Sequence, residues 1–316
     1  MDRVSDEELL QGFIEDCELR DMTQKTIENY KSATYIFKNF LHTKNLNLLS
    51  VDGIDNKDIL EEFHKYLIKD RMVSHARIKV YFSALNCLYD YLEYKGFIKK
   101  NIVLNVRRRY VRQYKNGYTP AKRKIIEVDE MSRFLNGIMN LRDKAIAVVF
   151  VKTGIRRGEL ISIDVDDIDF KEKTITLKSH FHKRSNKVVF FDEECENILR
   201  QWLKRREHIA LKGEKALFVS DFGKRLKRRG VYDAVTKWAI KLGYSKPGAK
   251  KPEERFSCHN LRHCFTTYLR RNGMPREYIK ELRGDARKEA IDIYDHIDFR
   301  DLRKAYLACM PKFNVY

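Results

Sequence analysis

The chain has 316 residues, with 64 Lys and Arg against 45 Asp and Glu, a formal net charge of +19 and a pI near 9.5. This length favours two domains, and this charge favours a polyanionic partner, of which nucleic acid is the leading candidate. No stretch approaches the roughly 20 apolar residues of a membrane-spanning helix, and the acidic N-terminus is unlike a signal peptide, so we expect an intracellular protein with no membrane partner.

The six cysteines are scattered and include no C-x-x-C pair, so the sequence suggests neither a disulfide framework nor a zinc site. Only 5 Pro and 14 Gly are present, and 43% of the residues are hydrophobic, which favours an ordered, helix-rich chain. We therefore expect ordinary reduced thiols and no bound metal.

The first segment of the chain, from Ser5 to Gly96, has apolar residues at helical spacing throughout. Thr23, Asp55 and Ser74 each precede such a run and are candidate N-caps. Four or five helices would form a compact bundle, and we assign residues 1–106 to a helical domain.

A basic segment follows, and residues 107–124 are the best candidate for a domain linker. Positive runs are usually solvated surface, but in a chain this basic we expect phosphate contacts. The candidate DNA-binding residues are Arg107, Arg108, Arg109, Lys122, Arg123 and Lys124.

Residues 125–316 form the second predicted domain, with helices opening near Val128 and Leu141. Alternating β-branched residues predict a strand at 174–177 and a hairpin partner at 187–191, joined by a polar turn at 179–186. The remainder is helical. The predicted fold is therefore mainly α with a small antiparallel β-hairpin, a helical domain plus a mixed α+β domain.

Three separated motifs in this domain supply two arginines, a histidine and a tyrosine. They are Thr153-Gly154-Ile155-Arg156-Arg157-Gly158-Glu159-Leu160, His259-Asn260-Leu261-Arg262-His263 and Ile293-Tyr294-Asp295-His296. Attack on a phosphodiester builds charge on the non-bridging oxygens, which guanidinium groups can bind in bidentate fashion. Arg156 and Arg262 suit that role, and Arg157, the next residue, is expected to point elsewhere.

In order and spacing, these motifs resemble those of the tyrosine recombinase (integrase) family, and the likeness extends over nearly the whole chain. The resemblance implies a core-binding domain followed by a catalytic domain, and cleavage of DNA through a 3′-phosphotyrosyl intermediate without metal or nucleotide cofactor. It makes Tyr294 the nucleophile, with Tyr306 and Tyr278 as fallback choices, and His259 a proton acceptor or phosphate donor.

The leaving 5′-oxygen needs a proton, which the family takes from a lysine in the hairpin turn. Lys183 is our choice here, with Lys178 as the alternative. The family's third box usually contains His where this chain has Asp285, which could orient Arg262 or His259 or accept a proton; alternatively Arg283 compensates. The Asp box and this hairpin look more like those of archaeal integrases.

An acidic turn in the second domain contains Asp164, Asp166, Asp167 and Asp169. It lacks the loop glycine and terminal glutamate of a calcium site, so we favour a structural turn over a metal cluster. We expect Glu159 to buttress Arg156 or the neighbouring backbone.

Two other functions compete with a site-specific recombinase: a type IB topoisomerase and a non-catalytic DNA-binding relative. The resemblance implies double-stranded DNA with specific attachment or recombination sites as the partner, a homotetramer on two duplexes that is a monomer when free, and a cytoplasmic, nucleoid-associated location. A C-terminal helix at 301–307, with an apolar side of Leu302, Tyr306, Cys309 and Met310, could dock on a neighbouring protomer or pack on its own domain.

Overall fold

The computed structural model describes residues 4–53, 56–112, 124–178, 188–249, 251–285 and 297–316. The chain divides into two compact units, Met1–Tyr118 and Thr119–Tyr316. Within the described ranges, every helix is too short or too polar to cross a bilayer.

The first unit is entirely helical over its described residues. Its helices are α1 (Asp6–Leu19), α2 (Gln24–His42), α3 (Lys57–Lys69), α4 (His75–Tyr94) and α5 (Val103–Val106), and a π-helical turn follows at Arg107–Val111. Phe37 is fully buried at the centre, and the rings of Phe40, Phe63 and Tyr89 lie 4.8–6.3 Å from it. The predicted helical bundle is confirmed.

The helix ends in this unit follow two of the three predicted caps. The Thr23 hydroxyl accepts the Thr26 N–H at 3.3 Å at the start of α2. Ser74 is the N-cap residue of α4, without a side-chain hydrogen bond to the helix. The N-cap of α3 is Asn56, and the predicted Asp55 lies outside the described residues.

The second unit combines helices with a small sheet. Its helices are α6 (Val128–Asn136), α7 (Leu141–Thr153), α8 (Arg157–Ser162), α9 (Glu193–Glu207), α10 (Arg228–Lys241), α11 (Cys258–Arg271), α12 (Arg276–Arg283) and α13 (Phe299–Cys309). The central helix is α7, which packs against α9, α10 and α11. It is apolar on nearly every side because it is buried on nearly every side, with Ala145 to Thr153 all buried.

The sheet contains β1 (Ile168–Asp169), β2 (Thr174–Thr176) and β3 (Val188–Phe190), in that order and all antiparallel. Ile175 faces Ile168 on one side and Val189 on the other. The pairing of β2 with β3 confirms the predicted hairpin, and β1 is an additional third strand. The polar turn that joins β2 to β3 lies outside the described residues.

The apolar side of α13 packs within the second unit. Leu302 and Tyr306 are 2% and 1% exposed, and they share a cluster with Phe265 and Leu269 of α11. The sequence left open whether this helix docks on a neighbouring protomer or packs on its own domain, and in the structure it packs on its own domain. The tail beyond α13 also packs on this unit, with Phe313 fully buried.

Candidate active site

A sharp turn between α7 and α8 presents Arg156. Gly154 ends α7 in the left-handed region, at φ 61°. A Cβ at this position would lie 2.3 Å from the Phe265 ring, so only glycine satisfies both the backbone conformation and the packing. Arg156 then becomes the N-cap residue of α8, with 39% of its side chain exposed.

Glu159 holds Arg156 in two places. Its carboxylate accepts the Arg156 backbone N–H at 2.6 Å and the Arg156 Nη1 at 3.0 Å. The Glu159 side chain is only 1% exposed, so these bonds also satisfy a buried charge. The predicted buttressing role of Glu159 is confirmed for both the side chain and the backbone.

Arg262 lies on α11 with 7% of its side chain exposed. Its Nη1 donates to the Gly154 carbonyl, and its Nη2 donates to the Arg283 carbonyl at 3.0 Å. Burial, together with the positive charges of Arg156 and Arg283, lowers the pKa of Arg262 to about 9, against the opposing charges of Glu159 and Asp285. The site therefore holds a desolvated cation for which an added anion is favourable.

Asp285 joins the two arginines. Its Oδ1 lies 3.2 Å from Nη2 of Arg156 and 3.4 Å from Nη2 of Arg262, and its Oδ2 lies 3.0 Å from Nε of Arg283. Gly284, at φ 59°, ends α12 in the left-handed region and turns the chain so that Asp285 reaches these groups. Of the partners considered for Asp285, the structure shows a direct contact with Arg262.

His259 occupies the first turn of α11, where it is exposed. It lines the same cleft as Arg156, Arg262 and Arg283, with a volume of about 540 Å³. Its ring lies edge-to-face with that of His263, with 5.0 Å between centroids. The structure thus brings together four of the six predicted catalytic residues, Arg156, His259, Arg262 and Asp285; Lys183 and Tyr294 lie outside the described residues.

Arg157, which was expected to point elsewhere than Arg156, contacts a different element. Arg156 reaches Glu159 and Asp285, whereas the Arg157 guanidinium lies over the ring of Tyr232 on α10. Both arginines nevertheless line one cleft, together with Arg228 of α10. The sequence signal for this second wall is the basic run at 227–229 followed by Tyr232.

Lys178, the alternative general acid, is ion-paired in the acidic turn. Its Nζ contacts Asp164 and lies 3.8 Å from Oδ2 of Asp167. Asp164 also binds the Arg225 guanidinium. Burial alone would raise the pKa of the Asp164 carboxyl, but hydrogen bonds from Arg225 and Lys178 outweigh burial and lower it. The acidic turn uses its carboxylates to bind these cations.

Of the two fallback tyrosines, Tyr306 is buried and Tyr278 is half-buried. Tyr306 is 1% exposed and donates to the Lys152 carbonyl at 3.0 Å, and burial raises its pKa well above the ordinary value. Tyr278 is half-buried against the same apolar cluster. A buried phenol that is hard to ionise is a poor nucleophile, so the geometry of Tyr306 does not favour it as a replacement for Tyr294.

The basic segment is described only in part. Arg108 and Arg109 are exposed, Arg107 is half-buried, and the Arg109 guanidinium lies 5.7 Å from the Tyr110 ring centroid. Lys124 donates to the Tyr244 carbonyl at 3.1 Å and lies over the Tyr244 ring. Lys122 and Arg123 lie outside the described residues.

Comparison with known proteins places this geometry in a family. The model of the "Phage integrase family" matches residues 124–301, and that of the "Phage integrase, N-terminal SAM-like domain" matches residues 9–97. The tyrosine recombinase XerC of Psychromonas ingrahamii is 26% identical over 296 residues, which cover 93% of this chain and 92% of the relative. XerC of Vibrio cholerae serotype O1 is 28% identical over 238 residues, covering 73% of this chain and 70% of the relative.

Solved structures share the fold. XerH site-specific recombinase bound to difH substrate aligns with a TM-score of 0.64 at 22% identity, covering 96% of this chain and 84% of XerH. A lambda integrase dimer bound to a COC′ core site aligns with a TM-score of 0.66 at 15% identity, covering 94% and 81%. Since the first family model alone spans more than half of the chain, the protein belongs to the phage integrase family of tyrosine recombinases, enzymes that cleave and rejoin DNA strands.

Proposed function

We propose that this chain is a site-specific recombinase or integrase whose arginines Arg156 and Arg262 bind the phosphate that Tyr294 attacks. The observation that carries the proposal is the convergence of both guanidinium groups on one oxygen, Oδ1 of Asp285. A carboxylate oxygen between two guanidinium groups is chemically close to a non-bridging phosphate oxygen. The same two groups would hold the phosphate as charge develops on it during attack.

Asp285 orients the arginines in this proposal and does not donate to phosphate. An ionised carboxylate has no proton to donate, so the hydrogen bond that the family usually obtains from histidine in this box must come from another group. Arg283 is suited to supply it, because it lines the cleft and its Nε lies 3.0 Å from Asp285. DNA phosphate would then compete with Asp285 for the same donors.

Two proton transfers complete the reaction. Tyr294 loses its phenolic proton to His259, or to a base that His259 assists, and its oxygen forms a bond to phosphorus. The bond from phosphorus to the 5′-oxygen breaks, and that oxygen takes a proton from Lys183, with Lys178 as the alternative donor. One phosphodiester is exchanged for one phosphotyrosyl ester, so the reverse step with a new 5′-hydroxyl rejoins the strand without nucleotide or metal.

The domain assignment belongs to the same proposal. Residues 1–106 act as the core-binding domain, residues 107–124 as a basic linker that contacts phosphates, and residues 125–316 as the catalytic domain. The match of separate family models to 9–97 and 124–301 supports this division. We further propose that a homotetramer holds two duplexes at specific attachment sites in the nucleoid, and that the chain is a monomer when free.

The test is covalent trapping on a nicked duplex that carries the attachment region of the chain's own genetic element, in the presence of EDTA. Wild type is expected to form an adduct that survives a denaturing gel, and Tyr294→Phe is expected to form none. An adduct in both would move the nucleophile to another tyrosine. Binding without any adduct would favour a non-catalytic protein, and relaxation of supercoils without strand exchange would favour a topoisomerase.

A further inference from the structure

The cleft that contains Arg156 and Arg262 has a second basic wall that the reaction described above does not use. Arg157, at the start of α8, and Arg228 and Tyr232, at the start of α10, form this wall. These two helices pack against each other, so the wall is part of the folded unit.

Tyr232 supports Arg157 through its ring. The Arg157 guanidinium carbon lies 5.8 Å from the Tyr232 ring centroid, and that of Arg229 lies 5.9 Å from it. A guanidinium stacked on an aromatic ring keeps its edge N–H groups available for hydrogen bonds. The stack therefore fixes Arg157 and leaves its donors for a ligand in the cleft.

The charge of this wall has no ionic partner within the part of the chain that the structure describes. Among the described residues, no carboxylate forms an ion pair with Arg157 or Arg228, whereas Arg156, Arg262 and Arg283 all contact Asp285. An isolated exposed arginine is most often solvated surface. Arg157 differs from that case because it is half-buried, lies over the Tyr232 ring and lines a cleft shared with other cations. Such a site favours an anion.

We propose that Arg157 and Arg228 bind the DNA phosphate next to the scissile phosphate in the cleaved strand, with Tyr232 holding Arg157 in position. The inference rests on the proposed function, in which Arg156 and Arg262 hold the scissile phosphate. A DNA strand carries a phosphate at every nucleotide, and Arg157 lines the same cleft as Arg156, so the cleft that holds the scissile phosphate also offers a cation to a neighbouring phosphate.

The consequence for the reaction is alignment. Phosphate contacts fix the register of a protein on DNA, and a second fixed phosphate restricts rotation of the scissile group about the first. Attack in line with the leaving oxygen depends on that orientation. Arg157 and Arg228 are thus positioning residues, and their loss should slow cleavage while the chemistry of Arg156 and Arg262 remains.

A double-substitution experiment tests this site. Single phosphates on either side of the scissile one are replaced by uncharged methylphosphonate in the nicked duplex, and adduct formation is timed for wild type, Arg157→Ala and Arg228→Ala. One methylphosphonate position should slow wild type by about tenfold or more, and Arg157→Ala should slow the unmodified duplex similarly. When Arg157→Ala acts on the duplex with that methylphosphonate, adduct formation should be no slower than with either change alone. If the two rate losses multiplied fully at every methylphosphonate position, the proposal would be overturned.

Arg200→Ala is the matched control, because Arg200 also stacks on a ring, 4.2 Å from the Phe170 centroid, but pairs with Glu196 and lies outside the cleft. Methylphosphonate should slow adduct formation by Arg200→Ala by the same factor as it slows wild type, so the two effects multiply. Binding separates this inference from the proposed function: Arg157→Ala should reduce the slope of log affinity against log salt by about 0.9, even if no adduct forms, and Arg157→Lys should restore it. An unchanged slope would count against the site, and absence of a wild-type adduct would count only against the proposed chemistry.

Discussion

Arg156 and Arg262 lie within 3.4 Å of the same carboxylate oxygen, Oδ1 of Asp285, although the two arginines are more than one hundred residues apart in the chain. Each is also held at the junction of α7 and α8, Arg156 by Glu159 in the first turn of α8 and Arg262 by the Gly154 carbonyl at the end of α7. Both guanidinium groups are therefore held in place by the protein itself, which under the proposed function would reduce the reorganisation that catalysis requires.

The first prediction concerns the charge of Asp285. Asp285→Asn keeps the shape of the side chain and removes the anion that competes with phosphate, so DNA should bind more tightly at low salt. The two guanidinium groups lose their ionic partner, and adduct formation should slow by about 10- to 100-fold. Fluorescence anisotropy measures the binding, and the trapping gel measures the rate.

Asp221→Asn is the control for net charge, since Asp221 is 86% exposed and pairs with Arg142 away from the cleft. It should leave the cleavage rate unchanged. If Asp285→Asn weakened DNA binding instead, Asp285 would not be a competitor of phosphate.

A second prediction concerns Glu159, which is buried and accepts two hydrogen bonds from Arg156. Glu159→Gln should lower the free energy of unfolding by about 1–3 kcal/mol, because a charged hydrogen bond is lost in the interior. Adduct formation should also slow, by about 10- to 100-fold, because Arg156 is no longer fixed. Chemical denaturation and single-turnover trapping measure the two effects.

Glu172→Gln provides the comparison. Glu172 is 53% exposed and pairs with Arg303 at 3.0 Å, so its substitution should cost only about 0–1 kcal/mol. Equal losses of stability and rate in the two variants would argue against a specific role for Glu159.

The sequence was informative where the structure depends on local pattern. The alternation at 174–177 and 187–191 identified the paired strands, and the helical spacing of apolar residues identified the helices of the first unit. The motifs identified Arg156 and Arg262, which do meet in one cleft. These features need only neighbouring residues or a characteristic spacing.

The remaining features depend on contacts between distant segments. The contact of Arg157 with Tyr232 of another helix, and the cleft that it shares with Arg156, could not be inferred from the adjacency of the two arginines. The contacts of Asp285 depend on where α12 ends relative to α11, and no sequence pattern predicts that position. Lys152 is completely buried, and its partners lie at least 40 residues away, so its sequence neighbourhood gave no sign of them.

A third prediction distinguishes Lys183 from Lys178 as the general acid. Replacing the leaving 5′-oxygen by sulfur creates a thiolate leaving group, whose conjugate acid has a pKa of about 8.5, so it departs without a proton donor. The Lys183→Ala variant should cleave the oxygen substrate much more slowly than wild type does, and the sulfur substrate at nearly the wild-type rate. Lys178→Ala should behave alike on both, because Lys178 is paired with Asp164. Rescue of Lys178→Ala by sulfur, without rescue of Lys183→Ala, would reverse the assignment.

A fourth prediction concerns the buried ion cluster that attaches the C-terminal tail to α7. Lys152 donates to Asp192 and Glu194 at 2.5 Å and to the Pro311 carbonyl at 2.9 Å, and Glu194 accepts the Phe313 N–H. Burial alone would raise the pKa of Glu194, but Lys152 and the tail amides outweigh burial and hold it below its ordinary value of 4.5. The ionised carboxylate therefore stabilises the folded state above that value.

The sign of the pH dependence follows from this shift. A carboxyl whose pKa is lowered by folding contributes stability at neutral pH and loses it as the pH falls below 4.5 and through the lower folded value. Glu194→Gln should reduce the free energy of unfolding by about 1–3 kcal/mol at pH 7, and the difference from wild type should shrink in acid. Urea denaturation across this pH range measures it. Glu207→Gln, an exposed position on the same helix, should show little difference at any pH, and a constant deficit for Glu194→Gln would mean that packing, and not charge, accounts for the loss.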